Sequence, residues 1–427
     1  MEKIKVAVIG GGNRAQTYTD IMRRIPEKFQ VVAAAEPIPN RLDYLRRKHK
    51  IPDDMLFDDW RPLLAKGKIA DMVMITTMDR LRLEPALQAI ELGYHLMLEK
   101  PIASTVEDCR AISLAAMKKG VKVILCTVLR YTGQFIAIKE IVDSGRLGKI
   151  MSINHEEGVG NVHQTHSYVR GNWGNVSRSA DMLVTKSCHD IDIIQWIINK
   201  KCKKVQSFGM LSYFTKENAP EGSPEYCIDG CPVGDTCPYN AVKLYYDDKS
   251  NYWMRSTCSR VFEVTDEDVE KAIRETQYGK CVFKCDNDVV DHQTVSMLFE
   301  DDITVTFTMN AFNKQGRHLH IMGTRGELRA ATHGDDRIRV YDFATSQEEV
   351  IDYNEKGCIT GSHGGGDDGL VQSIWEVLNG CYTGNSVPDI SESYYSHLIT
   401  YAIEEARKTG TIIDFEEFYR QHSGIEE

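Results

Sequence analysis

Val6-Ala-Val-Ile-Gly-Gly-Gly-Asn-Arg-Ala15 is an apolar, strand-forming run that breaks straight into a glycine-rich turn. Gly10 and Gly12 fit the first two positions of a dinucleotide fingerprint. Ala15 takes the third, where a small residue allows close helix–strand packing. Bare backbone at such a turn lets N–H groups, here including those of Asn13 and Arg14, approach a pyrophosphate. The helix expected from Thr17 to Arg24 aims its positive end at the same place. The next strand, Gln30-Val-Val-Ala-Ala-Ala-Glu36, ends in a carboxylate at the spacing where such folds hydrogen-bond the ribose hydroxyls. Glu36 would repel a 2′-phosphate, so NAD is expected in preference to NADP. Arg41, just beyond, is placed to stack on the adenine or to reach a phosphate.

A chain of 427 residues exceeds one hydrophobic core, so two domains are expected. A formal charge of −11 with no dense basic stripe argues against a nucleic-acid or anionic-membrane partner. No apolar run is long enough for a spanning helix, and the first strand begins at Lys5, so a cytoplasmic location is expected. In a reducing compartment the twelve cysteines are expected as thiols or metal ligands rather than disulfides.

Over residues 1–130, strand-like runs (Lys5–Ile9, Val31–Glu36, Met72–Thr76, His95–Leu98, Lys122–Thr127) alternate with helical ones (Arg41–His49, Leu83–Leu92, Thr105–Lys119). Repeated βα units of this length predict an α/β Rossmann domain with a parallel sheet. Thr76 and Thr77, at the end of the third of these strands, are assigned to the cofactor crevice. From 131 to 427 the texture is that of a second, α+β domain with a mostly antiparallel sheet. Its strands are Ile150–His155, Val205–Phe214, Thr294–Phe299, Ile303–Asn310, His318–Met322, Glu327–Ala330 and Arg337–Asp342. Helices are expected from Gln134 to Asp143, from Asp190, near Leu370–Leu378 and over Ser393–Lys408. Residues 217–287, rich in Cys, Tyr and Asp, read as an irregular insertion.

Three stretches carry chemistry. His95-Leu-Met-Leu-Glu99-Lys100-Pro101 puts Glu99 and Lys100 at the carboxyl edge of a parallel strand, where such sheets bind ligands, although a surface ion pair would look the same. Leu183-Val-Thr185-Lys186-Ser-Cys-His189-Asp-Ile-Asp192 places His189 at a helix start, a position that disfavours the imidazolium and suits a base near neutral pH. Cys188 beside it reads as packing. The stretch His163-Gln-Thr-His166-Ser-Tyr168-Val-Arg170-Gly-Asn-Trp173 mixes rings with hydrogen-bond donors, as a sugar-binding surface does. His363-Gly-Gly-Gly-Asp367 reads as a pocket edge or a linker. Cys227, Cys231 and Cys237 have three, then five, residues between them, which leaves open a structural zinc site, an iron–sulfur cluster, or free thiols with a conditional disulfide.

The order and spacing of Gly10-Gly-Gly12, Glu99-Lys-Pro101 and Lys186-Ser-Cys-His-Asp-Ile-Asp192 resemble the glucose–fructose oxidoreductase / inositol dehydrogenase / rhizopine-catabolism (Gfo/Idh/MocA) family, over essentially the whole chain. Leu129-Arg-Tyr131, His166–Trp173, Cys237-Pro-Tyr239 and Ser362–Asp367 resemble one sugar-processing branch. The resemblance implies a Rossmann domain followed by an α/β domain with a large open sheet, through whose free face members assemble as dimers or tetramers. It implies Lys100 and His189 as the catalytic pair, with Thr185, Lys186, His166, Tyr168, Arg170 and Trp173 toward the substrate. The family's Asp four residues before the histidine falls on Thr185, a frequent histidine falls on Arg82, and the common Thr-Pro reads Thr77-Met78. The implied activity is NAD(P)-dependent hydride transfer to or from a secondary hydroxyl or ketone of a sugar, cyclitol or glycoside. Two alternatives are glycoside cleavage by transient oxidation with the cofactor recycled, and a non-catalytic NAD-binding regulator.

Overall fold

The computed structural model describes residues 1–332, 337–353 and 362–425. In the N-terminal part, six short apolar runs become strands: β1 (Ile4–Ile9), β2 (Phe29–Ala35), β3 (Leu56–Phe57), β4 (Met72–Ile75), β5 (His95–Leu98) and β6 (Val123–Leu125). They pair in parallel in the order β3-β2-β1-β4-β5-β6. Between and after them lie α1 (Asn13–Arg24), α2 (Pro39–His49), α3 (Trp60–Ala65), α4 (Leu83–Glu91), α5 (Val106–Lys119) and α6 (Gly133–Asp143). Their ends follow the local chemistry. Thr105 caps α5 by accepting from the Asp108 N–H at 3.1 Å, and Gly120 ends it with a φ of 71° that a side chain would disfavour. The central strands β1, β4 and β5 are buried on both faces, as a parallel sheet requires.

The second sheet comprises β7 (Ile150–Gly158), β8 (Cys202–Met210), β9 (His292–Phe299), β10 (Thr304–Asn310), β11 (Gly316–Gly323), β12 (Gly326–Thr332), β13 (Ile338–Asp342), β14 (Gln347–Ile351) and β15 (Ile413–Asp414). Its order is β14-β13-β12-β11-β7-β10-β9-β8-β15, and every pair is antiparallel except β10 with β7. The period-two pattern buries Val295, Met297, Val305 and Phe307 on one face and leaves Met151, Phe208 and Met210 exposed on the other. The remaining helices are α7 (Asn161–His163), α8 (Cys188–Ile198), α9 (Tyr252–Ser259), α10 (Asp266–Glu275), α11 (Gly366–Leu378), α12 (Ile390–Thr409) and α13 (Phe415–His422).

Helix α12 joins the two halves. Leu398, Ile399 and Ala402 are buried in one core that holds Leu96 and Ile112 of the first sheet's layer and Met297 and Phe307 of the second. Each such aliphatic side chain contributes about 1.5–3 kcal/mol by leaving water. The same helix ties the Rossmann domain through polar contacts: Tyr401 Oη donates to Ala103 O at 2.8 Å, and the Ile102 N–H donates to His397 Nε2 at 3.2 Å.

Three features differ from the sequence reading. Residues 217–287 are not wholly irregular: α10 has a Thr265/Asp268 capping box and buries Val269, Ala272 and Ile273, a helical spacing hidden in a Cys- and Tyr-rich context. Strand β14 is charged and mostly exposed, so it carries no alternation to read. Helix α11 lies beyond residue 131 in sequence, yet it packs Leu370, Val371 and Ile374 into the Rossmann core with Val6, Tyr18 and Met74. Of the stretch His363–Asp367, the side chain of His363 lies outside the described residues, as does that of Ser362.

The junction between the halves contains a buried ion pair. Arg130 donates to both carboxylate oxygens of Asp192 on α8, at 2.7 and 2.8 Å, and to Glu392 of α12 at 2.7 Å. Arg130→Met leaves Asp192 charged and uncompensated, and is expected to cost about 3–5 kcal/mol of stability in urea unfolding. Adding Asp192→Leu to that variant should restore much of the loss, because the stranded charge is then gone.

Candidate functional site

The glycine turn is shaped by what surrounds it. Gly10 sits at φ +91°, and a Cβ there would lie 2.8 Å from Thr77 N, so only glycine fits. Gly11 is less constrained, since its Cβ would meet the Glu36 side chain at 3.0 Å, a tight approach that would press on that carboxylate. Gly12 caps α1, and the nearest atom to its Cβ is the Arg41 guanidinium, 3.8 Å away. That opening at a helix N-terminus is where a pyrophosphate fits. Glu36, buried at the end of β2, accepts from Gly11 N–H at 2.5 Å and from Ile38 N–H at 2.9 Å. Both bonds fix its carboxylate beside the turn. Thr76 Oγ1 donates to Gly10 O at 2.5 Å, and the buried Thr77 Oγ1 has no partner, as befits a crevice wall that meets a ligand.

Arg14 turns away from the phosphate position. Its Nε donates to Glu99 Oε1 at 2.9 Å and its other end pairs with Asp367 at 2.5 Å, while Tyr18 Oη also donates to Glu99. Burial pushes the Glu99 carboxyl upward, but Arg14, Lys100 and Arg82 outweigh it and hold it below the ordinary value. Glu99 is thus a charged anchor beneath the crevice. The insertion reaches the starts of α1 and α2 beside the turn: Asn13 Nδ2 donates to Thr257 Oγ1 at 2.7 Å, Arg41 Nε to Arg260 O at 3.1 Å, and Phe262 N–H to Asn40 Oδ1 at 2.9 Å.

Lys100 crosses from the Rossmann edge to the second domain, where its Nζ donates to Thr185 O at 2.6 Å. Burial draws its pKa below the ordinary lysine value, partly opposed by Cys188 and Glu99 and reinforced by Lys186. Thr185 lies in a π-helical turn, Leu183–Ser187, that leads into α8. Its hydroxyl points back to Asp181 O and Met182 O, so Thr185 offers the site a carbonyl rather than a side chain. His189 follows as the second residue of α8, half-buried. Burial pushes the Cys188 thiol up to about 12 against the pull of Lys100, which suits packing and not nucleophilic chemistry.

Lys186 does not stand free in place of the family's aspartate. Its Nζ pairs with Glu157 at 3.0 Å, Glu157 with Arg317 at 2.6 Å, and Arg317 with Asp190 at 2.7 Å; His155 Nε2 meets the same Asp190 oxygen at 2.9 Å. Arg317 and His155 hold Asp190 far below the usual carboxylate range despite its burial. The sequence reading missed Glu157 and His155, although they share the inward face of β7 with Ile153 at two-residue spacing. It also assigned no role to Arg82, which occupies the family's histidine position. Arg82 is buried, pairs with Asp79 at 2.7 Å, and donates to Thr77 O and Pro101 O, tying two crevice loops together.

The 163–173 stretch divides. Trp173 Nε1 donates to Asp79 Oδ2 at 2.8 Å, which fixes the indole between the domains, and Tyr168 is buried close to Cys188, Glu157 and Asp79. His166 is fully buried among Tyr245, Trp253 and Tyr278, with ring centroids 4.6–5.6 Å away, and burial lowers its pKa to about 3. It is a core residue of the insertion. Arg170 is likewise buried, on the Lys280 and Tyr239 carbonyls at 2.8 and 2.7 Å. The expectation of a sugar-facing surface therefore does not hold for His166 and Arg170: helical winding over Gln164–Val169 turns them inward. None of the eleven cysteines among the described residues is in a disulfide. No helix among them is long and apolar enough to cross a membrane.

Comparison with known proteins agrees with this geometry. Residues 4–127 match an oxidoreductase family's NAD-binding Rossmann fold, and residues 139–415 match the same family's C-terminal alpha/beta domain. The chain is 22% identical to the oxidoreductase YteT of Bacillus subtilis over 83% of this chain and 84% of that protein. It is 25% identical to an inositol 2-dehydrogenase of Klebsiella pneumoniae, over 48% of this chain and 57% of that one. Levoglucosan dehydrogenase in complex with NADH superposes with a TM-score of 0.70 at 16% identity, covering 97% of this chain and 99% of that structure. The glycine turn, the Lys100 bridge and the two matched domains lead to one assignment: the chain belongs to the Gfo/Idh/MocA family of NAD-binding oxidoreductases.

Proposed function

We propose that the protein transfers hydride between NAD and a secondary hydroxyl or ketone of a sugar, cyclitol or glycoside. One observation carries the reading. The Lys100 ammonium spans the domains to rest on Thr185 O at 2.6 Å, four residues ahead of His189, so the cation meets the chain where it enters the helix that carries His189. A bound nicotinamide supplies the hydride acceptor or donor there. Lys100 hydrogen-bonds the reacting oxygen and stabilises charge as it develops, and His189 takes the hydroxyl proton in oxidation and returns it in reduction. Trp173, pinned by Asp79, offers an apolar face for a sugar ring, and Lys186 with Glu157 supplies polar contacts on the opposite side. Glu36 binds the ribose and sets the preference for NAD.

The exposed sheet face with Phe208, Met210 and Met151 is the surface through which the chain assembles as a homodimer or homotetramer. Phe208→Asp should shift the species seen in sedimentation toward the monomer.

Turnover of a panel of sugars, cyclitols and aryl glycosides, followed at the NADH absorbance, tests the reaction; product release without net NADH would assign redox-neutral cleavage instead. His189→Ala should lower kcat by about 10²–10⁴-fold while NAD affinity, measured by calorimetry, is retained. Because burial lowers the Lys100 pKa, ketone reduction should decline with rising pH earlier than an ordinary lysine would dictate, and Lys100→Arg should move that limb upward. Glu36→Ser should narrow the preference for NAD over NADP by roughly tenfold, equivalent to about 1.4 kcal/mol.

A further inference from the structure

The insertion contains a second centre, away from the crevice. Cys227, Cys231, Cys237 and Cys281 line one small cavity together with Arg170, Pro220, Val233 and Phe283. The fourth cysteine was not legible from spacing, because it lies 44 residues after Cys237. The fold delivers it: Tyr226 and Lys280 form an antiparallel bridge, and the Cys281 N–H donates to Glu225 O at 2.9 Å, so the two ends of the insertion run side by side. Tight turns at Cys231–Gly234 and Val233–Cys237 bring the other two thiols round to the same cavity.

Two further observations point to an anionic occupant. Arg170, 2% exposed, makes no ion pair with a carboxylate among the described residues, and its buried Nη1 has no hydrogen-bond partner. A buried guanidinium without a counter-charge is costly. Here Nη2 lies 3.6 Å from Cys227 Sγ, so an anionic group bound at the cysteines would supply the missing charge.

The spread of the thiols chooses the occupant. A lone tetrahedral zinc, at about 2.3 Å from each sulfur, draws its four ligands to about 3.8 Å from one another. Among the described residues no three metal-binding side chains are gathered closely enough to hold a single ion. An iron–sulfur core places its own sulfides between the irons, fills space between the cysteines and leaves them further apart. We propose that Cys227, Cys231, Cys237 and Cys281 ligate an iron–sulfur cluster of the four-cysteine type, which clasps the ends of the insertion and gives Arg170 its counter-charge. On assembly each thiol gives up its proton and binds one iron; two ferrous ions, two ferric ions and four sulfides come from solution, so no electron is gained or lost and no protein bond is broken.

The 427-residue chain, purified anaerobically and then incubated with ferrous and ferric iron and sulfide, tests this directly. The expected result is about four irons and four acid-labile sulfides per chain, with a broad visible absorption that bleaches with dithionite. Cys281→Ser and Cys237→Ser should lose that absorption, whereas Cys285→Ser, whose thiol is outside the lining, should keep it. Protein that holds one zinc and no labile sulfide, or that stays colourless and metal-free after reconstitution, overturns the proposal without recourse to any variant. Lys100 and His189 take no part in this centre, so neither result bears on the hydride-transfer test.

Discussion

Two carboxylates buried on the first turns of one helix hold the molecule in its working arrangement. Asp190 and Asp192 lie on α8 and are fully buried. Each is bound by a guanidinium from a different part of the fold, Asp190 by Arg317 of β11 and Asp192 by Arg130 at the end of the Rossmann domain. Neither charge tolerates the interior alone, so each fixes its partner's element as much as its own. His189 sits directly before them, and its position relative to both sheets follows from those two pairs. The Lys100–Thr185 bond then closes the remaining gap from the opposite side.

The departures from the family pattern make physical sense in this setting. Where relatives place an aspartate, Thr185 lends its carbonyl to Lys100 and turns its hydroxyl back along its own helix. The nearby carboxylate comes from the sheet, as Glu157 on β7, and Lys186 connects it to the crevice. Where relatives place a histidine, Arg82 acts as a clamp across the loops carrying Thr77 and Pro101.

Much of this was readable in advance. The parallel sheet, the glycine turn with Glu36, and the start of α8 follow from strand-length apolar runs and turn residues that act locally. What escaped notice depends on contacts distant in sequence. The Arg14 guanidinium pairs with Asp367, 353 residues away, a contact that no local pattern foretells. His166 and Arg170 have the composition of a binding loop, but π-helical winding and the aromatic residues of the insertion draw them inside. Helix α11 returns to a core that sequence order alone would place in another domain. Glu157 and His155 are the exception, since two-residue spacing along β7 already put them on the buried face.

Thr257, Arg260 and Phe262 hydrogen-bond Asn13, Arg41 and Asn40, which ties the inserted segment to the first two helices of the Rossmann domain. Asn13 and Thr257 are separated by 244 positions, yet they share one hydrogen bond. A substitution in a segment outside the parallel sheet therefore reaches the loops beside the glycine turn, so that rim is open to reshaping without any alteration of the strands beneath it.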